Sequence, residues 1–409
     1  MAVETGAGQT RSMGISRGLV VLFAVACGLA AANLYYAQPV LDHIARTYGA
    51  SSATAGLVVT FSQVGYALGL ALLVPLGDIL VRRRLVPAAL IVTAVALVAS
   101  SVAPGIGFLI GVALVVGAGS TVAQMLVPMA ASLADDDSRG RVVGMVMTGL
   151  LLGILLARTV SGVVAGIAGW RAVYVVAAGL CAVMALVLAR VLPGEQERPH
   201  LSYRSLLRST ATLFLAEPLL RRRAVFGALG FAAFSAFWTT MAFVLSRAPF
   251  HYGDTTIGLF GLVGAAGALA ANVAGRWADR DLTRLTTTGF ALLVGVSFLP
   301  LWFGGHSLWL MILGILVLDV GVQGLQVTNQ SIIYRLAPEA RSRINSSYMV
   351  CYFIGGAIGS AVGSWLYGEH RWAGVCLFGA GLGAAALVLA LVDVVRRASH
   401  TTRAAAPVA

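Results

Sequence analysis

The sequence predicts an all-α membrane protein of twelve transmembrane helices in two six-helix bundles, and three observations predict it. Of its 409 residues 59% are hydrophobic and 11% charged, with a mean hydropathy of +0.89. A soluble core of that size has no use for so many apolar helices, whereas each helix that crosses a bilayer needs about 20 apolar residues in a row. Such runs recur along the whole chain, and the chain resembles itself when shifted by about half its length.

Spans 1 to 6 are predicted at 18–38, 55–76, 85–102, 106–131, 142–167 and 172–192, and spans 7 to 12 at 224–245, 256–273, 285–303, 308–334, 346–366 and 373–395. The short alternating segments of an outer-membrane barrel are absent, which leaves helices as the structure that satisfies backbone polar groups in lipid. Span 1 is longer than the apolar core of a secretory signal and reads as an uncleaved signal anchor. The run Ala24, Val25, Ala26, Cys27 lacks the larger aliphatic residue that a lipoprotein signal carries at its first position.

Asp78 maps onto Asp279, Gly56 onto Gly258, Arg139 onto Arg341, Trp170 onto Trp372 and Tyr48 onto Tyr252, a near-constant shift of about 202 residues. Six spans per repeat give two halves of the same orientation, related by an axis along the membrane normal. The predicted division is 1–192 for the first bundle, 193–223 for a basic linker with a surface helix at 203–215, and 224–409 for the second bundle with a short tail.

All 28 basic residues are arginine. Positive charge stays on the cytoplasmic side, and with the N-terminus inside, only Arg46, Arg171, Arg247 and Arg371 fall in external loops, Arg158 lying within a span. Both termini are therefore expected in the cytoplasm, in an inner or plasma membrane. The net charge of +12 is a topology and lipid-surface signal, since a nucleic-acid role would need a folded basic domain that no polar segment is long enough to form. Without lysine there is no P-loop, which excludes ATP drive by that route.

Cys27, Cys181, Cys351 and Cys376 lie inside spans with no C-x-x-C spacing and read as small buried hydrophobes. His43, His251, His306 and His370 fall near the outer surface, where histidine is usually solvated, and no pair has metal-ligand spacing on one helix. Neither a nucleophile with its base nor clustered carboxylates appear, so no enzyme, cofactor or metal is expected.

The loop between spans 2 and 3 reads Val74-Pro75-Leu76-Gly77-Asp78-Ile79-Leu80-Val81-Arg82-Arg83-Arg84, and its second-half copy Gly275-Arg276-Trp277-Ala278-Asp279-Arg280-Asp281-Leu282-Thr283-Arg284. Both are similar to the G-x-x-x-D-R-x-G-R-R loop of the major facilitator superfamily, with Val74 and Val81 where that family usually has glycine. Span 5 carries Gly149, Gly153, Ala157 and Gly162, and span 11 carries Gly355, Gly356, Gly359 and Gly363, small residues that let helices approach closely. This resembles the glycine-rich fifth span of the family's drug:proton antiporter branch, although the usual G-P pair is Gly153-Ile154 and Ala113 stands where that branch has an arginine in span 4. The physics of the loops is independent of the name. A carboxylate at the end of a span can dock on a helix N-terminus of the other half, so Asp78, Arg82 and Arg83 with Asp279, Arg280 and Arg284 are expected to latch the inside-closed state. Arg82 is assigned one of Asp135, Asp136 and Asp137 as partner; the bland alternative is a charge cluster that only sets topology.

Charges inside spans are costly and mark transport paths or proton relays. Asp319, Gln323, Gln326 and Gln330 recur at helical spacing on one face of span 10, and Asp319 lies roughly 16 Å from the start of that span, close to the midplane. Arg158 sits about 24 Å from the inner end of span 5. Asn33, Tyr36 and Gln38 of span 1, Gln63 and Tyr66 of span 2, Gln124 of span 4 and Trp238 of span 7 complete the expected substrate cavity. Asp319 is the candidate proton or organic-cation site; the alternative is a structural carboxylate capping a helix break or paired to Arg158. Arg158 either meets substrate or holds the first half together through Asn33 or Gln38, and the glutamines either bind ligand or join helices. Phe237 and Trp238 either stack on an aromatic substrate or pack.

These readings converge on a monomeric secondary transporter that exports a small organic solute, with protons as the expected coupling partner. An uptake permease or facilitator, and a non-transporting solute sensor, are the alternatives.

Overall fold

The computed structural model describes residues 15–135, 137–193, 202–278, 283–336 and 340–404. Every predicted span falls on helix, and among the described residues there is no strand. The observed helices are Arg17–Ala32, Ser52–Leu76, Arg82–Ser101, Ile106–Leu133, Arg139–Ala168 and Trp170–Val191 for spans 1 to 6. Pro218–Leu245, Asp254–Ala278, Thr283–Gly304 and Leu308–Ile333 follow for spans 7 to 10. Spans 11 and 12 lie in Arg341–Ala404, which breaks at Arg371, where φ is 55°. Among the described residues nine of these helical stretches are long and apolar enough to cross a membrane on the strength of length and hydropathy alone.

Local chemistry sets the helix ends. Ser16 and Ser51 accept the Leu19 and Thr54 amides as N-caps of spans 1 and 2. Between them the chain turns through Pro39 into a short amphipathic helix, Leu41–Tyr48, closed by Gly49 at φ 60°, a left-handed position that suits glycine. Span 2 widens into one π-helical turn at Gly69–Leu73, next to Pro75, which has no N–H to give. The linker helix, Tyr203–Ala216, hooks onto that irregular turn through Tyr203 Oη, which donates to the Leu72 carbonyl at 2.9 Å.

Large apolar side chains face outward on most spans: Val95, Ile167 and Leu377 are each more than half exposed. In water such a surface would aggregate; in lipid it carries no penalty, because acyl chains are as apolar as the side chains. What joins the helices is close backbone approach. A Cβ on Gly153 of span 5 would lie 2.3 Å from the Gly28 Cα of span 1, and one on Gly359 of span 11 would lie 2.1 Å from the Ala232 carbonyl of span 7. Spans 1 and 5 are thus packed as spans 7 and 11 are, the relation the internal repeat requires.

The two halves meet along spans 2 and 11 and along spans 5 and 8. Here too the repeat is visible. Gly56 abuts Ser364, and its equivalent Gly258 abuts Gly162. Thr60 and Ser360 share a hydrogen bond of 2.8 Å, and Thr159 Oγ1 donates to the Gly258 carbonyl at 3.1 Å. The 38–48 connection after span 1 adds contacts with span 7. Cross-half contacts therefore concentrate at the end opposite the linker.

Candidate functional site

Arg158 and Asp319 are brought to one place in the interior, each only 3% exposed. No ion pair of 4.0 Å or less joins them. Trp238 of span 7 stands in that role instead. The Arg158 guanidinium carbon lies 4.0 Å over its ring, and its Nε1 donates to Asp319 Oδ1 at 3.3 Å. Tyr35 and Phe234 complete an aromatic enclosure, with ring centroids 4.8 and 5.5 Å from the guanidinium. Gln38 accepts from Arg158 Nε at 2.7 Å, while Arg158 Nη2 is buried with no acceptor.

Span 8 reaches this pair because it presents glycines. A Cβ on Gly261 would lie 2.9 Å from the Arg158 Cβ, one on Gly264 2.4 Å from Asp319 Oδ2, and one on Gly267 2.8 Å from the Asp319 Cβ. The main chain itself forms that wall.

Of the residues expected around the cavity, Gln38, Arg158, Trp238 and Asp319 form this centre. Gln63 and Tyr66 lie in the neighbouring half-to-half seam: Gln63 Nε2 donates to Ser235 Oγ at 2.7 Å, and Tyr66 packs at a tilt on Phe353, ring centroids 4.2 Å apart, while accepting from Gln124. Gln323, Gln326 and Gln330 are partly exposed below the buried Asp319, a polar ladder running along span 10 toward the linker end. Gln326 accepts from Tyr352 Oη at 2.8 Å and Gln330 donates to Asn345. Asn33 turns away to Cys181, and the Tyr36 carbonyl accepts from Ser161 at 2.6 Å, so both tie helices of the first half together. Phe237 packs edge-on against Trp238 and Trp372.

In the loop after span 2, Arg82 bonds Asp78 at 3.1 Å and the Gly77 carbonyl at 2.9 Å. Arg83 is exposed. Asp279 and Arg280 lie outside the described residues, as does the Arg284 side chain.

Three features escaped the sequence reading. Tyr35 and Phe234, close in sequence to Tyr36 and Trp238, carry no role in the sequence pattern, yet both rings face Arg158. Arg223 was assigned to the linker, yet the seventh helix starts at Pro218, and Arg223 is buried against Thr287 and Asn329 at 3.0 and 3.4 Å. Arg222 pairs with Asp393 near the end of span 12. His43 is not simply solvated: its Nδ1 lies 2.6 Å from Asp254 Oδ2, across the two halves. Pro218 at helix position N1 was the legible signal for the early start of the seventh helix; nothing in the local sequence pairs His43 with Asp254.

Among the described residues no group of three His, Cys, Asp or Glu side chains could hold a metal. A groove of about 410 Å³ between spans 9 and 10 is lined by Val296, Leu299, Pro300, Phe303, Leu310, Leu313 and Val317, all apolar and remote from the charges.

A carboxylate and a guanidinium buried between two repeated helical halves fit the interior of a membrane transporter. The family model described as Major Facilitator Superfamily matches residues 23–305 and 247–408, and the chain belongs to that family. It is 49% identical over 366 residues to the uncharacterised transporter YgaY of Escherichia coli O157:H7, covering 90% of this chain and 93% of that one. It is 23% identical over 334 residues to a Helicobacter pylori protein named "Probable sugar efflux transporter", covering 79% and 82% of the two chains. Its fold matches a bacterial homologue of the human lysosomal transporter Spinster, solved inward-facing and unoccupied, with a TM-score of 0.74 at 15% identity over 92% of this chain and 94% of that one.

Proposed function

We propose that this transporter exports a small organic solute in exchange for protons, by alternating access around the Arg158–Trp238–Asp319 centre. The observation that carries the reading is Asp319, a carboxylate buried at mid-span whose hydrogen-bond donor is a single indole N–H. A carboxylate buried at that depth is kept mainly where a transport path or proton relay needs it. The name of the Helicobacter relative supports export. Uptake or facilitated passage is the second reading, favoured by Ala113 where the antiporter branch has an arginine.

The chain works as a monomer in an inner or plasma membrane, with both termini and the linker cytoplasmic. Residues 1–192 and 224–409 form the two moving bundles, joined by 193–223, whose last residues from Pro218 on already belong to the seventh helix. Asp78, Arg82, Arg83, Asp279, Arg280 and Arg284 latch the cytoplasmic end in the opposite conformation, when the outer end opens.

Purified protein in liposomes with an imposed pH gradient and a chemically diverse solute panel tests this. The wild type should move at least one solute against its gradient. Asp319→Asn, which mimics the protonated acid, should lose gradient-driven movement while retaining solute exchange. Equal accumulation by the mutant would place the proton site elsewhere.

A further inference from the structure

Two opposite charges in a low-dielectric interior attract strongly and ordinarily close into a hydrogen-bonded pair; leaving them apart and under-partnered is expensive. Arg158 and Asp319 are left apart. The face of Trp238 holds the guanidinium by a cation–π contact, and its N–H holds one carboxylate oxygen. Each charge keeps unused capacity. Arg158 Nη2 has no acceptor, and Asp319 has no cation within 4.0 Å among the described residues. The enclosure around Arg158 is aromatic, from Tyr35, Phe234 and Trp238, and Trp238 reaches on to Asp319.

A simple anion would satisfy Arg158 and place a second negative charge beside Asp319. A simple cation would do the reverse beside Arg158. A solute bearing both charges leaves the site neutral and gives each group a partner of opposite charge. We propose that the Arg158–Trp238–Asp319 centre binds an amphoteric solute of amino-acid type, its carboxylate on Arg158, its ammonium on Asp319 and its apolar side group among the aromatic rings. This rests on the transporter reading of the same centre and deepens it. An ammonium on Asp319 and a proton on Asp319 exclude each other, and mutual exclusion at one group is what exchange of solute for protons requires. With both charges 3% exposed, the solute reaches them when the halves part.

The test is a binding panel on the purified full chain at neutral pH, read by calorimetry or thermal shift: leucine and phenylalanine, their N-acetyl derivatives, which lack the cation, and their amides, which lack the anion. The free amino acids should bind, and each singly blocked form should bind at least about tenfold more weakly, because blocking leaves one buried charge unpaired. Arg158→Gln should stop discriminating against the amides, and Asp319→Asn against the N-acetyl forms. The wild-type panel decides the matter even if a variant fails to insert. Blocked forms binding as well as free ones, or no amino acid binding at all, overturns the proposal. Failure of the parent reading is separable: proton-driven transport of other solutes with no amino-acid binding sinks the solute class alone, whereas selective amino-acid binding with no transport in liposomes sinks the transporter mechanism alone.

Discussion

Among the described residues Arg158 depends on a single acceptor, the side-chain Oε1 of Gln38 at 2.7 Å. Gln38→Ala should cost about 1 to 3 kcal/mol, since it strands a buried donor; a fall in the unfolding midpoint of the detergent-solubilised protein checks it. Gln38→Glu should hold the fold at or near wild-type stability but supply an internal carboxylate, so that transport falls at least about tenfold. Wild-type transport by the Glu variant would mean that the open edge of Arg158 meets no solute. Gly264 is the complementary case. A methyl group there would stand 2.4 Å from Asp319 Oδ2 and 2.7 Å from the Trp238 ring. Gly264→Ala should insert normally, lose about 1 to 3 kcal/mol to overpacking, and transport poorly because the acid and indole are pushed out of register. Normal transport in that variant would show that the centre tolerates displacement.

Span 5 is the element on which the half-to-half contact turns, because its two ends touch different partners: Gly153 meets span 1 and Gly162 meets span 8. A Cβ on Gly162 would lie 2.6 Å from the Gly258 Cα, so Gly162→Leu should wedge the end opposite the linker open. A cysteine replacing Thr255, which in the parent donates to the Gly162 carbonyl at 3.4 Å, should then react with a membrane-impermeant maleimide added outside. Unchanged labelling would mean that the seam closes by another route. The loop after span 2 acts at the other end. Asp78→Asn and Asp279→Asn should each weaken the cytoplasm-closed state by about 0.3 to 2 kcal/mol, raising cysteine accessibility on the linker side. If accessibility stays the same in both while the protein still inserts, the loops set topology and nothing more.

For the molecule as a whole, alternating access requires the spans 2–11 and 5–8 seams to open. Thr60 and Ser360 face each other with side-chain oxygens 2.8 Å apart, and paired cysteines at these positions should crosslink on oxidation and arrest transport until reduced. Transport through the crosslinked protein would contradict movement at this seam. The background should lack Cys351, the one half-buried native thiol among three buried ones. Orientation is tested separately: tags at residue 200 and at the C-terminus should both be reached only from the cytoplasm, as the arginine distribution requires.

The order and approximate limits of the helices were written in hydropathy, which depends on each residue's own transfer energy and needs no partner. The repeat was equally legible, since Gly56 with Gly258 and Trp170 with Trp372 keep their spacing in one dimension. So was the polar face of span 10, because Asp319 and its glutamines obey the helix period. Partnership was not legible. Trp238 between Arg158 and Asp319, Ser235 beneath Gln63, and Asp254 against His43 join residues separated by 80 to 211 positions, where no local pattern links them. Arg223 belonged to a helix whose first turn looked like linker, because burial of a charge becomes favourable only once Thr287 and Asn329 are packed beside it. Sequence alone thus determined that this chain crosses the membrane in two related halves with an acid and a base inside; tertiary structure alone decided that the two charges are held apart, since that depends on one indole brought in from another helix.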